Sequence, residues 1–167
     1  MSVLLARSGD KELMREPSVS PESETGGFLA PFGVFVEPEL LQLALTHRSW
    51  AYENGGSPHN ERLEFLGDSI LGQAVTVKLF VEHPDLSEGE LSRRRAALVS
   101  SVALAEVARG IGVGNQLLLG VGEERSGARE KESLLADAVE AIIGAVYLSN
   151  DPQVAATFVL QLIEPLL

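Results

Sequence analysis

Two stretches of this chain set acidic side chains at helical spacing inside otherwise apolar sequence, and that pairing restricts the folds open to it. In the first, Glu61, Glu64 and Asp68 stand three and then four residues apart. On a helix those offsets return to one face, so the carboxylates crowd together. Like charges at such positions repel by about 0.2–0.5 kcal/mol per pair in water, and by more when buried. In the second, Asp137 and Glu140 are the only charged residues between Ser133 and Asn150, again three apart. A multivalent cation held between two such helices would account for both stretches.

The residues around the acids sharpen the problem. Leu63, Phe65, Leu66, Ile70, Leu71, Ala74, Val75 and Val77 cover most of the circumference of a helix over about 60–81, which reads as an interior helix. No Lys or Arg falls between Leu63 and Val77, so Glu64 and Asp68 lack a local cation. A helix over 132–148 is more apolar still, with Leu134, Leu135, Val139, Ile142, Ile143 and Val146 around its two acids. Buried, unpaired carboxylates are costly or take up a proton, so these call for a metal, a distant arginine or raised pKa values. Gly67 and Gly144 would let the two helices approach closely enough for the acids to converge.

Oxygen-only ligands favour a hard cation, Mg²⁺ or Mn²⁺, over zinc. A ferritin-like centre would want Glu-x-x-His, and no Glu stands three residues before His47, His59 or His83. Glycoside hydrolysis needs one protonated acid opposite one base, a poor match to four acids on two helices. Phosphoryl chemistry at a hard-metal site fits better. Ser69 and Ser133 have no Ser/His/Asp context, which argues against nucleophilic catalysis.

A chain of 167 residues with 45% hydrophobic residues suits one compact domain plus a tail. It has no cysteine, so disulfides and thiolate zinc sites are excluded. The apolar stretch Val3 to Ala6 is too short for a secretory core, and no later run is long and uncharged enough to span a bilayer. The expectation is a soluble cytoplasmic protein without membrane contact. A net charge of −11 argues against gripping nucleic acid by bulk electrostatics, and acids gathered around metal would reconcile it with a phosphate-bearing substrate.

Residues 1–27 mix Ser, Glu, Pro and Gly without periodicity and read as an arm lacking fixed structure, ahead of a folded unit over 28–167. A short helix over 39–45 is followed by Thr46-His47-Arg48-Ser49 as its exit, then by an Asn54-Gly55-Gly56-Ser57-Pro58 loop. The helix from about 60 to 81 is stopped by the restriction Pro84 places on His83. Ser87 and Glu90 form a capping-box pattern that opens a helix at Glu88, and 101–111 has helical periodicity broken by nearby glycines. The Gly-rich, charged stretch 120–131 reads as a loop free to move. Asp151-Pro152 reads as an N-cap and first helical residue of a last helix to about 162. No useful period-2 segment occurs, so the expected fold class is all-α.

The segment Asn60-Glu61-Arg62-Leu63-Glu64-Phe65-Leu66-Gly67-Asp68-Ser69 resembles the signature motif of the ribonuclease III family, and Ala136-Asp137-Ala138-Val139-Glu140-Ala141 resembles its second acidic motif. The likeness continues through Leu45-Thr46-His47-Arg48-Ser49, Glu88-Gly89-Glu90-Leu91-Ser92 and Leu118-Leu119-Gly120-Val121-Gly122-Glu123, covering about 33–167 in order. It implies the helical endonuclease-domain fold of that family. It also implies Mg²⁺-dependent hydrolysis of phosphodiesters in both strands of double-stranded RNA, with Mn²⁺ able to substitute. Water would attack phosphorus in line, leaving 5′-phosphate and 3′-hydroxyl ends with short 3′ overhangs, in rRNA and mRNA precursor processing.

By the same resemblance Glu64, Asp68, Asp137 and Glu140 would be metal ligands, with Asp68, Glu140 and Glu61 in catalytic roles and Glu61 at the site's edge near a dimer partner. Phe65 would plug into a socket of the second subunit of a homodimer, unless it is an ordinary core aromatic. Glu88 matches an acid along the catalytic valley. Arg93, Arg94 and Arg95 form the one dense basic cluster, read either as an RNA-phosphate grip or as a solvated face pairing with Glu88 or Glu90. Arg125, Arg129 and Lys131 are read as RNA contacts or as solubilising charges, and His47 as a structural histidine at a helix end. Members of the family usually continue into a double-stranded RNA-binding domain that would begin close to Leu167, and that domain is expected to be absent from this chain. The competing readings are a catalytically silent dimeric RNA-binding scaffold of the same fold and an all-helical metal-dependent nucleotide hydrolase.

Overall fold

The structure is a computed structural model and describes residues 26–167. The arm expected over 1–27 therefore falls almost wholly outside the described residues. Eight α-helices follow one another: α1 (Pro38–Ala44), α2 (Arg48–Glu53), α3 (Glu61–Glu82), α4 (Glu88–Leu98), α5 (Ser101–Ile111), α6 (Val121–Arg125), α7 (Glu132–Ser149) and α8 (Pro152–Ile163). Among the described residues the only β pairing is an isolated parallel bridge between Thr46 and Leu118, so the fold is all-α as expected.

Helix α7 is the axis of the molecule. Ala136, Ala138, Val139, Ala141, Ile142, Ile143, Ala145 and Val146 are all buried, which leaves no solvent stripe along most of its length. Its largest contact is with α3, and α5 covers another side. Capping follows local chemistry. Ser87 and Glu90 close a capping box at α4, Gly112 ends α5 in the left-handed region at φ 78°, and the Asp151 carboxylate accepts from Val154 N–H at 2.9 Å to open α8.

A 3₁₀ helix over Gly27–Phe32 buries Leu29, and Phe32 packs edge-on against Phe158 with ring centroids 5.3 Å apart. Three expectations are revised. The Thr46 to Ser49 segment is not only an exit but the start of α2, whose N-cap is His47. Helix α3 is not buried around its circumference. Leu63, Gly67, Ile70, Leu71, Ala74 and Leu79 form one buried stripe, while Phe65, Val77, Phe80 and Val81 are exposed.

The stretch 120–131 is held rather than loose. It contains α6 and a 3₁₀ turn over Ala128–Glu130, and Ala128 is fully buried. Glu53 accepts from Val121 N–H through both carboxylate oxygens, at 3.0 and 2.9 Å, and Ser49 Oγ accepts from Gly120 N–H at 2.8 Å. A five-residue helix is too short to show periodicity, and here long-range contacts hold it in place.

Candidate metal centre

The two acidic helices meet at their glycines. A Cβ on Gly67 would lie 1.7 Å from the carbonyl oxygen of Glu140, and one on Gly144 would lie 2.5 Å from that of Leu63. Only glycine permits this crossing, and it brings the acids of α3 and α7 to one level. Carboxylate oxygens of Glu64, Asp137 and Glu140 all lie within 4.8 Å of one another. Asp68 is more exposed and stands outside that close trio, yet its charge is the strongest acting on Glu140. Glu61, one turn before Glu64, is half exposed, 3.6 Å from Arg48 and 4.0 Å from His59.

None of Glu64, Asp68, Asp137 and Glu140 has a Lys, Arg or His partner within 4.0 Å among the described residues. The distant-arginine explanation is thereby removed. Raised pKa values hold instead. Burial and then the charges of Asp68, Glu64 and Asp137 push Glu140 up to about 8. Burial, followed by Asp137, Glu61 and Asp68, raises Glu64. Burial also raises Asp137, opposed in part by His47 and Arg48. Three acids that repel one another in a half-buried site, with no nitrogen or sulfur donor in the trio, have the donor chemistry of a hard divalent cation.

A cavity of about 360 Å³ opens beside the trio, lined by His47, Arg48, Asn60, Glu61, Glu64, Ser133, Leu134 and Asp137. Its floor is set by Asn60, a buried polar residue whose Nδ2 donates to the Ala44 carbonyl at 3.2 Å and whose N–H donates to that of Thr46 at 2.9 Å. These bonds tie the start of α3 to the end of α1. His47 Nδ1 accepts from Ser49 N–H at 3.2 Å, the structural role expected, and burial lowers its pKa.

The remaining expected residues lie elsewhere. Glu88 accepts from Ser92 Oγ at 2.6 Å at the start of α4. Arg94 and Arg95 reach His83 and Thr76 on the far half of α3, and Thr76 is eight residues beyond Asp68, about 12 Å along the axis. Neither comes within 4.0 Å of the Glu88 or Glu90 carboxylate, although the charge of Arg94 is felt at Glu90. Arg129 and Lys131 are engaged within their own segment, with Glu124 at 2.7 Å and Glu123 at 3.2 Å. Phe65 is 79% exposed, which excludes an ordinary core aromatic. Arg48 and Asn60 lie within two of the motif stretches, but no spacing marks them as lining residues. Arg48 stands thirteen positions before Glu61, and the Asn60 N–H bond to the Thr46 carbonyl ties the two segments together.

Comparison with known proteins agrees with this geometry. Residues 37–166 match the family model described as Ribonuclease-III-like. Relatives described as Ribonuclease 3 include one from Leifsonia xyli subsp. xyli, 68% identical over 149 residues that make up 89% of this chain and 63% of the relative. Another, from Nocardia farcinica, is 58% identical over 83% of this chain and 59% of its own length. The chain thus spans less than two thirds of these relatives. A solved nuclease domain of ribonuclease III from Campylobacter jejuni, described for structural flexibility in a region involved in dimer formation, is 42% identical. It superposes with a TM-score of 0.77 over 83% of this chain and 94% of that domain.

Proposed function

This chain belongs to the ribonuclease III family, and from that premise we propose that it is an endoribonuclease cutting both strands of double-stranded RNA with the help of Mg²⁺. The observation that carries this reading is the convergence of Glu64, Asp137 and Glu140 without a basic partner. These three, joined by Asp68 once positive charge draws it in, would hold Mg²⁺ or, in its place, Mn²⁺. When bound, such a cation lowers the pKa of water and offsets negative charge on the phosphate. The products are proposed to carry 5′-phosphate and 3′-hydroxyl ends with short 3′ overhangs, and the substrates to be rRNA and mRNA precursors.

The chain's own residues do the rest. The Gly67–Gly144 crossing sets the backbones that bring the Glu64, Asp137 and Glu140 carboxylates together before substrate arrives, which limits the reorganisation left for the reaction. Half-burial of the trio excludes much of the solvent that would weaken its hold on a cation. Glu61, half exposed and lining the cavity, is the proposed third catalytic acid beside Asp68 and Glu140. Glu88 and the Arg93, Arg94 and Arg95 cluster are proposed to meet RNA further along the surface. The folded unit over 28–167 is the nuclease domain in this reading, and it acts as a homodimer through the exposed Phe65, as the Campylobacter domain's described dimer formation supports.

Purified protein incubated with duplex RNA in Mg²⁺, and again in EDTA, tests this directly. Cutting in Mg²⁺ alone is expected, and Glu140→Ala should abolish it while leaving the fold intact. Binding without cutting would favour a silent scaffold, and turnover of free nucleotides without duplex cleavage a nucleotide hydrolase. None of the helices among the described residues is long and apolar enough to cross a membrane.

A further inference from the structure

Arg48 is the one Arg or Lys that lines the cavity beside the carboxylate trio. It also lines an adjoining cavity of about 780 Å³, so its side chain stands on the rim between the two. Its nearest carboxylate, Glu61, is 3.6 Å away, longer than the 2.7–2.9 Å of a charge-assisted hydrogen bond, and the Arg48 side chain is 71% exposed. Such a contact holds a guanidinium loosely and leaves most of its donors free. Arg129 shows the contrast, with Nε and Nη2 on Glu124 at 2.7 Å and Nη1 on two carbonyls.

The base of the Arg48 side chain is nonetheless fixed. It is the first residue of α2, which is tied to the 118–121 strand of chain by the Ser49 and Glu53 bonds and by His47 N–H donating to the Leu118 carbonyl at 3.0 Å. The charge of Arg48 reaches the trio, since it is felt at Asp137. We propose that Arg48 is a substrate-binding residue whose guanidinium grips a backbone phosphate of the RNA strand next to the carboxylate site. A chain of net charge −11 needs local cations to accept a polyanion, and those of α4 and of 129–131 are placed or occupied elsewhere. The inference rests on the nuclease reading and adds the residue that positions the strand.

The test uses the full chain with a short RNA duplex in Mg²⁺. Single phosphates around the cut are replaced in turn by uncharged methylphosphonates, and cleavage is compared for wild type, Arg48→Ala and Glu61→Gln. For wild type, kcat/KM should fall about tenfold at one flanking phosphate. Arg48→Ala should start about tenfold lower, mainly in KM, and be indifferent to neutralising that same phosphate while remaining sensitive at others. The slope of log KM against log salt should also shrink by about one contact. Glu61→Gln should keep the phosphate sensitivity, which separates a direct grip from a mere orienting of Glu61. Arg48→Ala with wild-type KM, or with unaltered sensitivity at every phosphate, overturns the inference alone. Absence of any cutting by wild type overturns the nuclease reading and the inference with it.

Discussion

No side chain separates Gly67 from Glu140: the backbone of α3 rests on the carbonyl of the residue that carries the most perturbed carboxylate. The obstacle to a Cβ at Gly67 is backbone, which cannot swing aside as a side-chain tip would. Gly67→Ala should therefore cost roughly 3 kcal/mol of stability by forcing α3 and α7 apart. The same separation should remove the thermal stabilisation conferred by Mg²⁺. Gly72→Ala, on the same helix with nothing within 4 Å, should be neutral or gain up to about 1 kcal/mol. Urea unfolding of the two variants checks both, and equal midpoints would refute the close crossing.

Glu140 makes the metal-free protein sensitive to pH in a defined direction. Its folded pKa, about 8, lies above the ordinary 4.5, so between those values the folded chain keeps a proton that the unfolded chain has lost. Stability from this group is fully present below the ordinary pKa and is lost as pH rises through the folded one. Glu64 and Asp137, also raised, act with the same sign. In EDTA the melting temperature should fall from about pH 5 to about pH 8. Glu140→Gln should flatten much of that fall. Because a ligand carboxylate must be deprotonated, Mg²⁺ binding should release protons near neutral pH and tighten as pH rises, as titration calorimetry in buffers of different ionisation enthalpy would detect.

The helices of the core and the acids of the site were legible because both depend on local spacing. The 3.6-residue period of α5 and α7, the Ser87 and Glu90 box, and the Asp151-Pro152 start are written in consecutive residues. So was the need for glycine at 67 and 144, since acids on two helices converge only if the backbones touch. Illegible was what distant residues decide. The order of 120–131 comes from Glu53, Ser49 and Gly114, and the cavity lining from the Asn60 bond to Thr46 that brings the Arg48 segment beside Glu61. The exposed face of α3 reads as interior in the sequence because Phe65, Val77, Phe80 and Val81 are as apolar as core residues, and composition alone does not say which side of a helix faces solvent.

That face gives a prediction about assembly. Phe65 contributes almost nothing to the packing of its own chain, being 79% exposed, so its truncation should leave the fold of each subunit unchanged. A buried aromatic at the centre of an interface is instead a hot spot worth about 2 kcal/mol or more, so Phe65→Ala should weaken self-association by about 30-fold or more. Sedimentation velocity over a concentration series reads this. The wild-type melting temperature should also rise with protein concentration, and that of the variant should rise far less. A Phe65→Ala protein that stays as dimeric as wild type would place the interface elsewhere.

Arg129 is the most fully bonded cation of the described residues, and its bonds gather three separate pieces of chain. Its guanidinium clasps Glu124 of α6 at 2.7 Å and donates to the carbonyls of Gly114 at 2.8 Å and Leu117 at 2.9 Å, both in buried residues. Removing it leaves the Leu117 carbonyl without a donor and that of Gly114 with only the long 3.4 Å bond from Leu117 N–H, at a cost of about 2–3 kcal/mol. Lysine cannot restore the network, since one ammonium lacks the planar fork that serves Glu124 and the carbonyls together. Arg129→Ala and Arg129→Lys should thus both lower stability and speed amide exchange over 113–131, while the amides of α3 and α7 stay protected until global unfolding. Because that segment leads directly into α7, Mg²⁺ affinity should fall along with the protection. Exchange measured by mass spectrometry decides the matter: unchanged rates over 113–131 would show that the segment holds its shape without Arg129.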